Sequence, residues 1–155
     1  MITCLTPIRD GMAFLANFVA YHKSTFSRFI VLDDYCADES IQYIKSQITN
    51  LDIIHKQSSN PEVWNDLDNR NQLLHYFQTN YSEGWVLFLD CDELLDMNDS
   101  IQLLEDLKFN NLNKNKAYGF PLFRMINDLN HFTKGPLIVY RLFYFKPGFK
   151  IQGPR

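Results

Sequence analysis

Two aspartates separated by one residue follow an apolar segment of strand length. Residues 85–89 are all apolar, which is typical of a strand buried on both faces, and Asp90, Asp92 and Glu93 come directly after it. Carboxylates held so close together repel unless a positive charge lies between them. Mg²⁺ and Mn²⁺ prefer such hard oxygen ligands, and Mg²⁺ often takes one or two carboxylates plus substrate phosphates. The spacing therefore favours a metal site at Asp90 and Asp92; an acidic turn that caps the next helix is the alternative.

A second carboxylate pair ends another apolar segment, because Asp33 and Asp34 follow residues 29–32. A carboxylate at the edge of a pocket can accept a hydrogen bond from an N–H group of a nucleobase, which would place Asp33 or Asp34 beside a nucleotide. A turn is the alternative for this pair. For Asp38, four residues further on, the role of helix cap is the better interpretation.

An arginine precedes the acidic strand on a predicted helix. Arg70 has Asp66 four residues earlier, the spacing of an ion pair on one helix face. Alternatively, its guanidinium group reaches over the edge of the sheet toward phosphates or toward Asp90, since its planar fork suits both.

These residues belong to a pattern of alternating strands and helices. Strands are predicted at residues 2–5, 29–32, 51–54 and 85–89, with Pro7 ending the first. Helices are predicted over 12–23, after Asp38, along a stripe from Trp64 to Phe77, and from Asp99 or Ser100. Alternation of this kind implies parallel pairing, so the polar strand ends meet at one edge of the sheet and form one pocket.

The second half of the chain has a different pattern. Residues 117–125 and 137–145 are aromatic-rich and predict two strands with no helix between them. The chain contains no GxSxG, P-loop or GxGxxG motif, which disfavours a serine hydrolase, a P-loop NTPase and a dinucleotide-binding domain.

Composition predicts one globular domain of 155 residues, with 46% hydrophobic and 15% aromatic residues. The net charge of −3, without a basic cluster, argues against nucleic acid as the main partner. Three cysteines without a CxxC pair indicate neither a disulfide framework nor a zinc site, which favours a reducing compartment, and we expect a cytoplasmic location. The N-terminus does not read as a signal peptide, and no apolar run is long enough to predict a transmembrane segment.

Three ordered segments carry a family resemblance. They are TPIRDGMAFL at residues 6–15, VLDDYCADES at residues 31–40, and RNQL at residues 70–73 followed by FLDCDEL at residues 88–94. Together they resemble a family 2-type glycosyltransferase of the GT-A fold, whose patterns read DDxSxDxS and RNxxL … fLDxDEfl. Cys36 stands where serine is usual, and Arg141 begins a segment similar to the later strand kRlFr of some relatives.

The resemblance implies an α/β domain of the GT-A (Rossmann-like) type, with a mostly parallel central sheet and helices on both faces. It also implies a nucleoside diphosphate sugar as donor. In such a domain the DxD motif, here Asp90 and Asp92, positions Mn²⁺ or Mg²⁺ on the diphosphate, with Asp92 ligating directly and Asp90 contacting ribose or metal. The implied nucleotide-binding residues are Thr6, Pro7, Arg9, Asp33, Asp34, Arg70 and Asp90.

The acceptor side is less complete in this resemblance. We expect a single domain, 1–155, with residues 1–96 forming the donor half and 97–155 a partial acceptor half. Inverting members of the family supply a carboxylate base beyond the DxD motif, and Asp128, in a predicted loop, is the sole candidate. The ending at Gly153-Pro154-Arg155 predicts a short or truncated domain.

The predicted function is metal-dependent transfer of a sugar, with inversion, from a nucleotide-sugar donor to a glycan, lipid or protein acceptor. A non-catalytic nucleotide-sugar-binding domain and a GT-A-fold nucleotidyltransferase are the alternatives. A haloacid-dehalogenase-type phosphatase is disfavoured, because its DxD motif would lie near the N-terminus.

Overall fold

The computed structural model describes residues 1–58, 60–126, 128–132, 137–149 and 151–152, without the side chains of residues 97, 126, 128–130 and 132. The elements follow one another as β1 (Ile2–Ile8), α1 (Met12–His22), β2 (Arg28–Asp33), α2 (Ser40–Gln47), β3 (Leu51–His55), α3 (Asp66–Tyr81), β4 (Gly84–Phe88), α4 (Met97–Lys108), β5 (Ala117–Leu122), β6 (Met125–Ile126), β7 (Asp128–Phe132) and β8 (Leu137–Phe145). Among the described helices, none has the length and apolarity needed to cross a membrane.

A six-stranded sheet forms the centre of the fold, in the order β3-β2-β1-β4-β8-β5. The first four strands pair in parallel, and β8 is antiparallel to both β4 and β5. The short strands β6 and β7 form a separate antiparallel pair. The alternating half of the sequence thus gives the parallel part of the sheet, as the pattern predicts, and the aromatic-rich half supplies its antiparallel edge.

Helices cover both faces of this sheet because successive side chains of a strand point to opposite faces, and in the central strands the side chains on both faces are apolar. In β2, Phe29 and Val31 pack into a core with α1, α2 and α4, whereas Ile30 and Leu32 point into a second core against α3. The central strands are therefore apolar on both faces and read as continuous apolar runs. This arrangement leaves only their ends for charged residues.

Pro7 does not end the first strand, which continues to Ile8. Within β1, Leu5 faces β4, since its carbonyl accepts a hydrogen bond from the amide of Leu89, whereas Ile8 faces β2 through the amide of Asp34. Pro7 shares the orientation of Leu5, and the β1–β4 pairing stops at Leu5. The missing N–H of proline therefore falls where no ladder partner exists, so the prediction from Pro7 was wrong.

The helix after Asp38 begins at Ser40 rather than directly behind the aspartate. One carboxylate oxygen of Asp38 accepts a hydrogen bond from the amide of Ser40 at 2.9 Å, and the other accepts from the amide of Met12 at 3.1 Å. Asp38 therefore satisfies unpaired amides at the starts of α2 and α1, which keeps both helices in place beside the sheet edge.

Helix α4 also starts earlier than predicted, at Met97 instead of Asp99 or Ser100. The side chain of Asp96 accepts a hydrogen bond from the amide of Asn98 at 2.8 Å and is the cap. Since Asp96, Asp99 and Ser100 are all good cap residues, composition alone does not distinguish among them.

The loop between β1 and α1 rests on the turn that follows β4. A Cβ atom at Gly11 would lie 2.9 Å from the sulfur of Cys91 and 3.1 Å from Cγ2 of Ile8. Glycine is required here by this close approach, which brings the two motif-bearing loops into contact.

Gly11→Ala should therefore destabilise the protein, because a methyl group overpacks against Cys91. We expect a loss of about 1–3 kcal/mol in the free energy of unfolding, measured by urea titration. Adding Cys91→Ala should recover part of the loss, because it removes the sulfur that the methyl group meets. Purely additive losses in the double variant would contradict this close contact.

Candidate active site

The carboxyl ends of β1, β2 and β4 meet at one edge of the sheet, because these neighbouring strands run in parallel. Ile8 pairs with Asp33, which sets the segment after β1 beside the Asp33-Asp34 pair. The contact between Gly11 and Cys91 sets it beside the Asp90–Asp92 turn. The three predicted polar segments are therefore brought together, at the place where open α/β sheets bind ligands.

Asp34 is enclosed within this edge. Its carboxylate is fully buried and accepts hydrogen bonds from Arg9 Nη2 at 2.7 Å and Asn69 Nδ2 at 3.0 Å, and it pairs with Lys56 Nζ at 3.0 Å. Burial raises the pKa of Asp34, but the hydrogen bonds from Arg9, Lys56 and Asn69 outweigh it and bring the pKa below its ordinary value. The ionised carboxylate is thus part of the framework of the edge.

The same two cations hold the loop between β3 and α3. Arg9 donates to the carbonyl oxygens of Pro61 at 2.8 Å and Glu62 at 3.1 Å, and Lys56 donates to that of Val63 at 3.3 Å. The side chain of Lys56 is wholly buried. This loop is therefore fixed to the ends of β1, β2 and β3 through charged side chains.

Trp64 belongs to this loop and not to the helix stripe in which its spacing placed it. Helix α3 begins at Asp66, with Asn65 as its cap, and the exposed indole of Trp64 stands 5.9 Å from the guanidinium carbon of Arg9. The prediction for Trp64 was wrong, because a cap residue at position 65 ends the helical pattern before it.

Asp33, unlike its neighbour, is reachable from solvent. Its carboxylate accepts a hydrogen bond from the amide of Cys36 and pairs with Nδ1 of the exposed His55, both at 2.9 Å, and its side chain is 15% exposed. A ligand can therefore contact Asp33 without any rearrangement, whereas contact with Asp34 requires the buried cluster to open.

The side chains of Thr6 and Pro7 are buried in the sheet. The hydroxyl of Thr6 has no hydrogen-bond partner among the described residues. In this conformation only their backbone and the segment that follows them can line a ligand site.

Arg70 satisfies both of its predicted alternatives at once. Its Nε donates to Asp66 at 2.9 Å, and its Nη2 lies 3.0 Å from both carboxylate oxygens of Asp90. The Arg70 side chain is only 10% exposed, and it lies over the ring of Phe88. Asp90 is therefore neutralised by a buried cation from α3 rather than left free.

Glu93 connects the acidic turn to the antiparallel strand. Its carboxylate accepts from Arg141 Nη2 at 2.6 Å and from the amide of Asp90 at 3.0 Å, while burial raises the Glu93 pKa. Its carbonyl oxygen lies 3.2 Å from Nε2 of the buried His22. Burial lowers the pKa of His22, so a neutral ring that carries its proton on Nε2 donates to this carbonyl.

Asp92 is the exposed carboxylate of the turn, and it makes no hydrogen bond or ion pair with any residue that the structure describes. Between the two aspartates, burial and then the charges of Asp92 and Asp90 raise the pKa of Cys91 to about 12. Its thiol is therefore protonated near neutral pH in the absence of a metal, and the turn also presents the hard carboxylate oxygens that Mg²⁺ and Mn²⁺ prefer.

These donors fit a cation that is shared with a substrate. No group of three or more His, Cys, Asp or Glu side chains that could hold a metal occurs in the described part of the chain. Mg²⁺ does not need such a cage, since one or two carboxylates plus substrate phosphates suffice. Asp92 suits this role because its carboxylate is exposed and has no partner among the described residues, and Arg70 fixes the carboxylate of Asp90 close by in the same turn.

Asp128 begins strand β7, opposite Ile126, so its predicted position in a loop was wrong. Its side chain lies outside what the structure describes, as do residues 153–155. Its role as base stays a prediction.

Sequence reasoning missed three residues that build the edge: Lys56, Asn69 and His22. Lys56 had a partial signal, because it follows the predicted strand 51–54 and so falls at the same sheet edge as Asp33 and Asp34, but its contact with Asp34 depends on the folded register. Asn69 and His22 gave none, since a polar residue on a helix is usually solvated.

Comparisons with known proteins concern the fold. No family model matches the chain, and no curated protein sequence matches it significantly. A crystal structure of S. aureus TarS 1–349 in complex with UDP-GlcNAc is similar, with 18% identity, a TM-score of 0.52, and 71% of this chain and 32% of that chain covered. A second crystal structure of TarS 1–349 has 18% identity, a TM-score of 0.51, and coverages of 90% and 46%.

These neighbours are glycosyltransferases with a GT-A-like fold. The likeness at this identity confirms the predicted fold class of our chain: a mixed α/β domain with a mostly parallel six-stranded sheet flanked by helices. The chain spans less than half the length of either TarS structure.

Asp34→Asn should remove much of the stability, because it leaves Lys56 buried without its counter-charge. We expect a loss of about 3–5 kcal/mol in the free energy of unfolding at pH 7. Asp33→Asn is the matched control, since its carboxylate is near the surface, and it should cost far less.

The pH dependence of the free energy of unfolding should differ between the Asp34→Asn variant and the unmodified chain. The folded-state pKa of Asp34 lies below its ordinary value. Its contribution is therefore complete above that ordinary value, near 4, and is lost as the pH falls through the folded-state value. Urea titrations between pH 7 and pH 2 should show a smaller loss of stability on acidification for Asp34→Asn than for the unmodified chain. Parallel curves would contradict the ionised, buried carboxylate.

Proposed function

We propose that this chain is the nucleotide-sugar-binding part of a metal-dependent glycosyltransferase, which transfers a sugar from a nucleoside diphosphate donor to an acceptor. One observation carries the proposal. Asp33 and Asp92 are accessible to a ligand at the same edge of the sheet. Their neighbours Asp34 and Asp90 are instead paired with the side chains of Arg9, Lys56 and Arg70. The UDP-GlcNAc in the TarS complex supports a donor of this chemical class.

We assign different parts of the donor to different residues of the site. We assign recognition of the nucleobase to Asp33, since its partly exposed carboxylate can accept an N–H hydrogen bond. The loop after β1 would lie along the nucleoside, held in position by Arg9 on Asp34. Asp90 would face the ribose or the metal, and Arg70 fixes its orientation.

Asp92 is the residue that would hold Mn²⁺ or Mg²⁺ together with the diphosphate. The metal, when bound, neutralises the charge that develops on the departing diphosphate. Arg141 and Glu93 contribute by fixing the turn that carries Asp92, because their ion pair and the amide of Asp90 lock its backbone.

Two alternatives are separated by assays of the same protein. A non-catalytic binding domain would bind the donor without turning it over, and a nucleotidyltransferase would release inorganic pyrophosphate from a nucleoside triphosphate. Inversion at the anomeric carbon, with Asp128 as the base, completes the proposal for the whole protein.

Asp92→Asn should abolish most metal-dependent nucleotide binding, because the amide has one neutral oxygen in place of a charged carboxylate. We expect the affinity for UDP-GlcNAc in the presence of Mn²⁺ to fall at least about tenfold in calorimetry. The thermal stability should be unchanged, since Asp92 is exposed and has no partner among the described residues. Glu105→Gln, an exposed carboxylate on α4, is the matched control; an equal loss there, or none in Asp92→Asn, would refute the assignment.

Asp33→Asn should blur the choice of base. Loss of one hydrogen bond to a charged acceptor costs about 1–3 kcal/mol for the preferred nucleotide and little for the others. The measurement compares the affinities of uridine, guanosine and cytidine diphosphates with Mn²⁺. If their ranking and spacing do not change, Asp33 only forms the turn and holds His55.

A further inference from the structure

Two cavities with linings of opposite charge border β8, and Val139 and Arg141 line both of them. The larger, of about 890 Å³, has one carboxylate, Asp66, on its wall. Its cationic side chains are those of Arg70, Lys114, Lys116, Arg141 and Lys146. An anionic ligand would therefore be favoured there.

The smaller cavity, of about 530 Å³, is acidic and adjoins the motif turn. Four carboxylates line it: Glu93 is paired with Arg141, Asp96 caps α4, and the other two belong to Asp92 and Asp99. Neither Asp92 nor Asp99 has a hydrogen-bond or ion-pair partner within the described ranges. Asp92 is the metal ligand of the proposed function, so Asp99 is the carboxylate that stays available to a second ligand in this cavity.

Apolar side chains form the rest of the wall of this acidic cavity. Tyr21 comes from α1, Leu122 from the end of β5 and Met125 from β6. These side chains are 38%, 36% and 42% exposed, so each keeps apolar surface that a ligand can cover. A volume of several hundred Å³ with a mainly apolar wall and a few directed polar groups is typical of a small-molecule site.

We propose that this acidic cavity is the acceptor subsite, and that it takes a neutral, hydroxyl-rich saccharide. The inference rests on the proposed function, since Asp92 belongs to both the metal site and the cavity wall. Ionised carboxylates only accept hydrogen bonds, so the ligand must donate them, which hydroxyl groups do. With the metal on Asp92 and Arg141 on Glu93, Asp96 and Asp99 still leave this wall negative and so disfavour an anionic acceptor, and the apolar walls suit the C–H faces of a sugar ring.

Asp99 is the residue that would recognise the acceptor hydroxyl groups without touching the donor. It lies in the first turn of α4, whereas Asp96 caps the helix, so Asp99→Asn keeps the helix start intact. Lys146 is the control position, because it lines the basic cavity, where its ammonium group donates a hydrogen bond to Asn115.

The test uses the full chain without nucleotide and a panel of neutral disaccharides that contain glucose, galactose or N-acetylglucosamine. The same disaccharides with a phosphate monoester form the second arm. Amide chemical shifts in NMR titrations report the position of binding, and calorimetry reports the affinity. We expect millimolar or tighter binding of at least one neutral disaccharide, with shifts around Asp99, Leu122 and Tyr21.

Asp99→Asn should weaken that binding about tenfold, while Lys146→Ala leaves it unchanged. Both variants should keep the affinity for UDP-GlcNAc with Mn²⁺. Tighter binding of the phosphorylated sugars, shifts confined to the basic cavity, or no binding of any neutral disaccharide would overturn the inference. Failure of UDP-GlcNAc to bind, with the saccharide still bound, would instead refute the proposed donor function.

Discussion

A single buried carboxylate joins four elements at the edge where the site forms. Asp34 follows β2, and its partners are Arg9 after β1, Lys56 after β3 and Asn69 on α3. A carboxylate removed from water is costly unless it is paired and hydrogen-bonded, and here three donors meet that condition. The positions of the loop after β1 and the loop before α3 depend on this arrangement, because Arg9 and Lys56 use their remaining donors on the carbonyl groups of that second loop.

A second charge network does the same for the other half of the edge. Arg70 from α3 holds Asp90, and Arg141 from β8 holds Glu93, so the turn after β4 is fixed from both sides. The two networks share α3, which carries Asn69 and Arg70 as neighbours. The helix therefore links the Asp33-Asp34 pair to the Asp90–Asp92 turn, and a shift of α3 would move both together.

The parts of this fold that local pattern determines could be predicted, and the parts that long-range pairing determines could not. Apolar runs and their polar ends predicted the parallel strands and the sheet edge where Asp33 and Asp92 lie, but not the order of the strands in the sheet. The sequence does not say which member of each aspartate pair is buried, because that depends on cations brought in from other elements. Lys56 is the example: only the folded register shows that it reaches Asp34.

Strand register explains how the antiparallel half of the sheet contributes to an edge built by parallel strands. Leu87 of β4 is the last residue to pair with β8, opposite Leu142, so the residues of β8 that precede Leu142 run past the end of this pairing. Arg141 is the first of them, and it reaches Glu93 and lies 3.6 Å from Asp90. A slip of one residue would turn Arg141 to the other face and leave Glu93 without its counter-charge. The same one-residue slip would turn Phe143 and Phe145 away from α3, against which they pack, so the apolar core also holds Arg141 in position beside the motif turn.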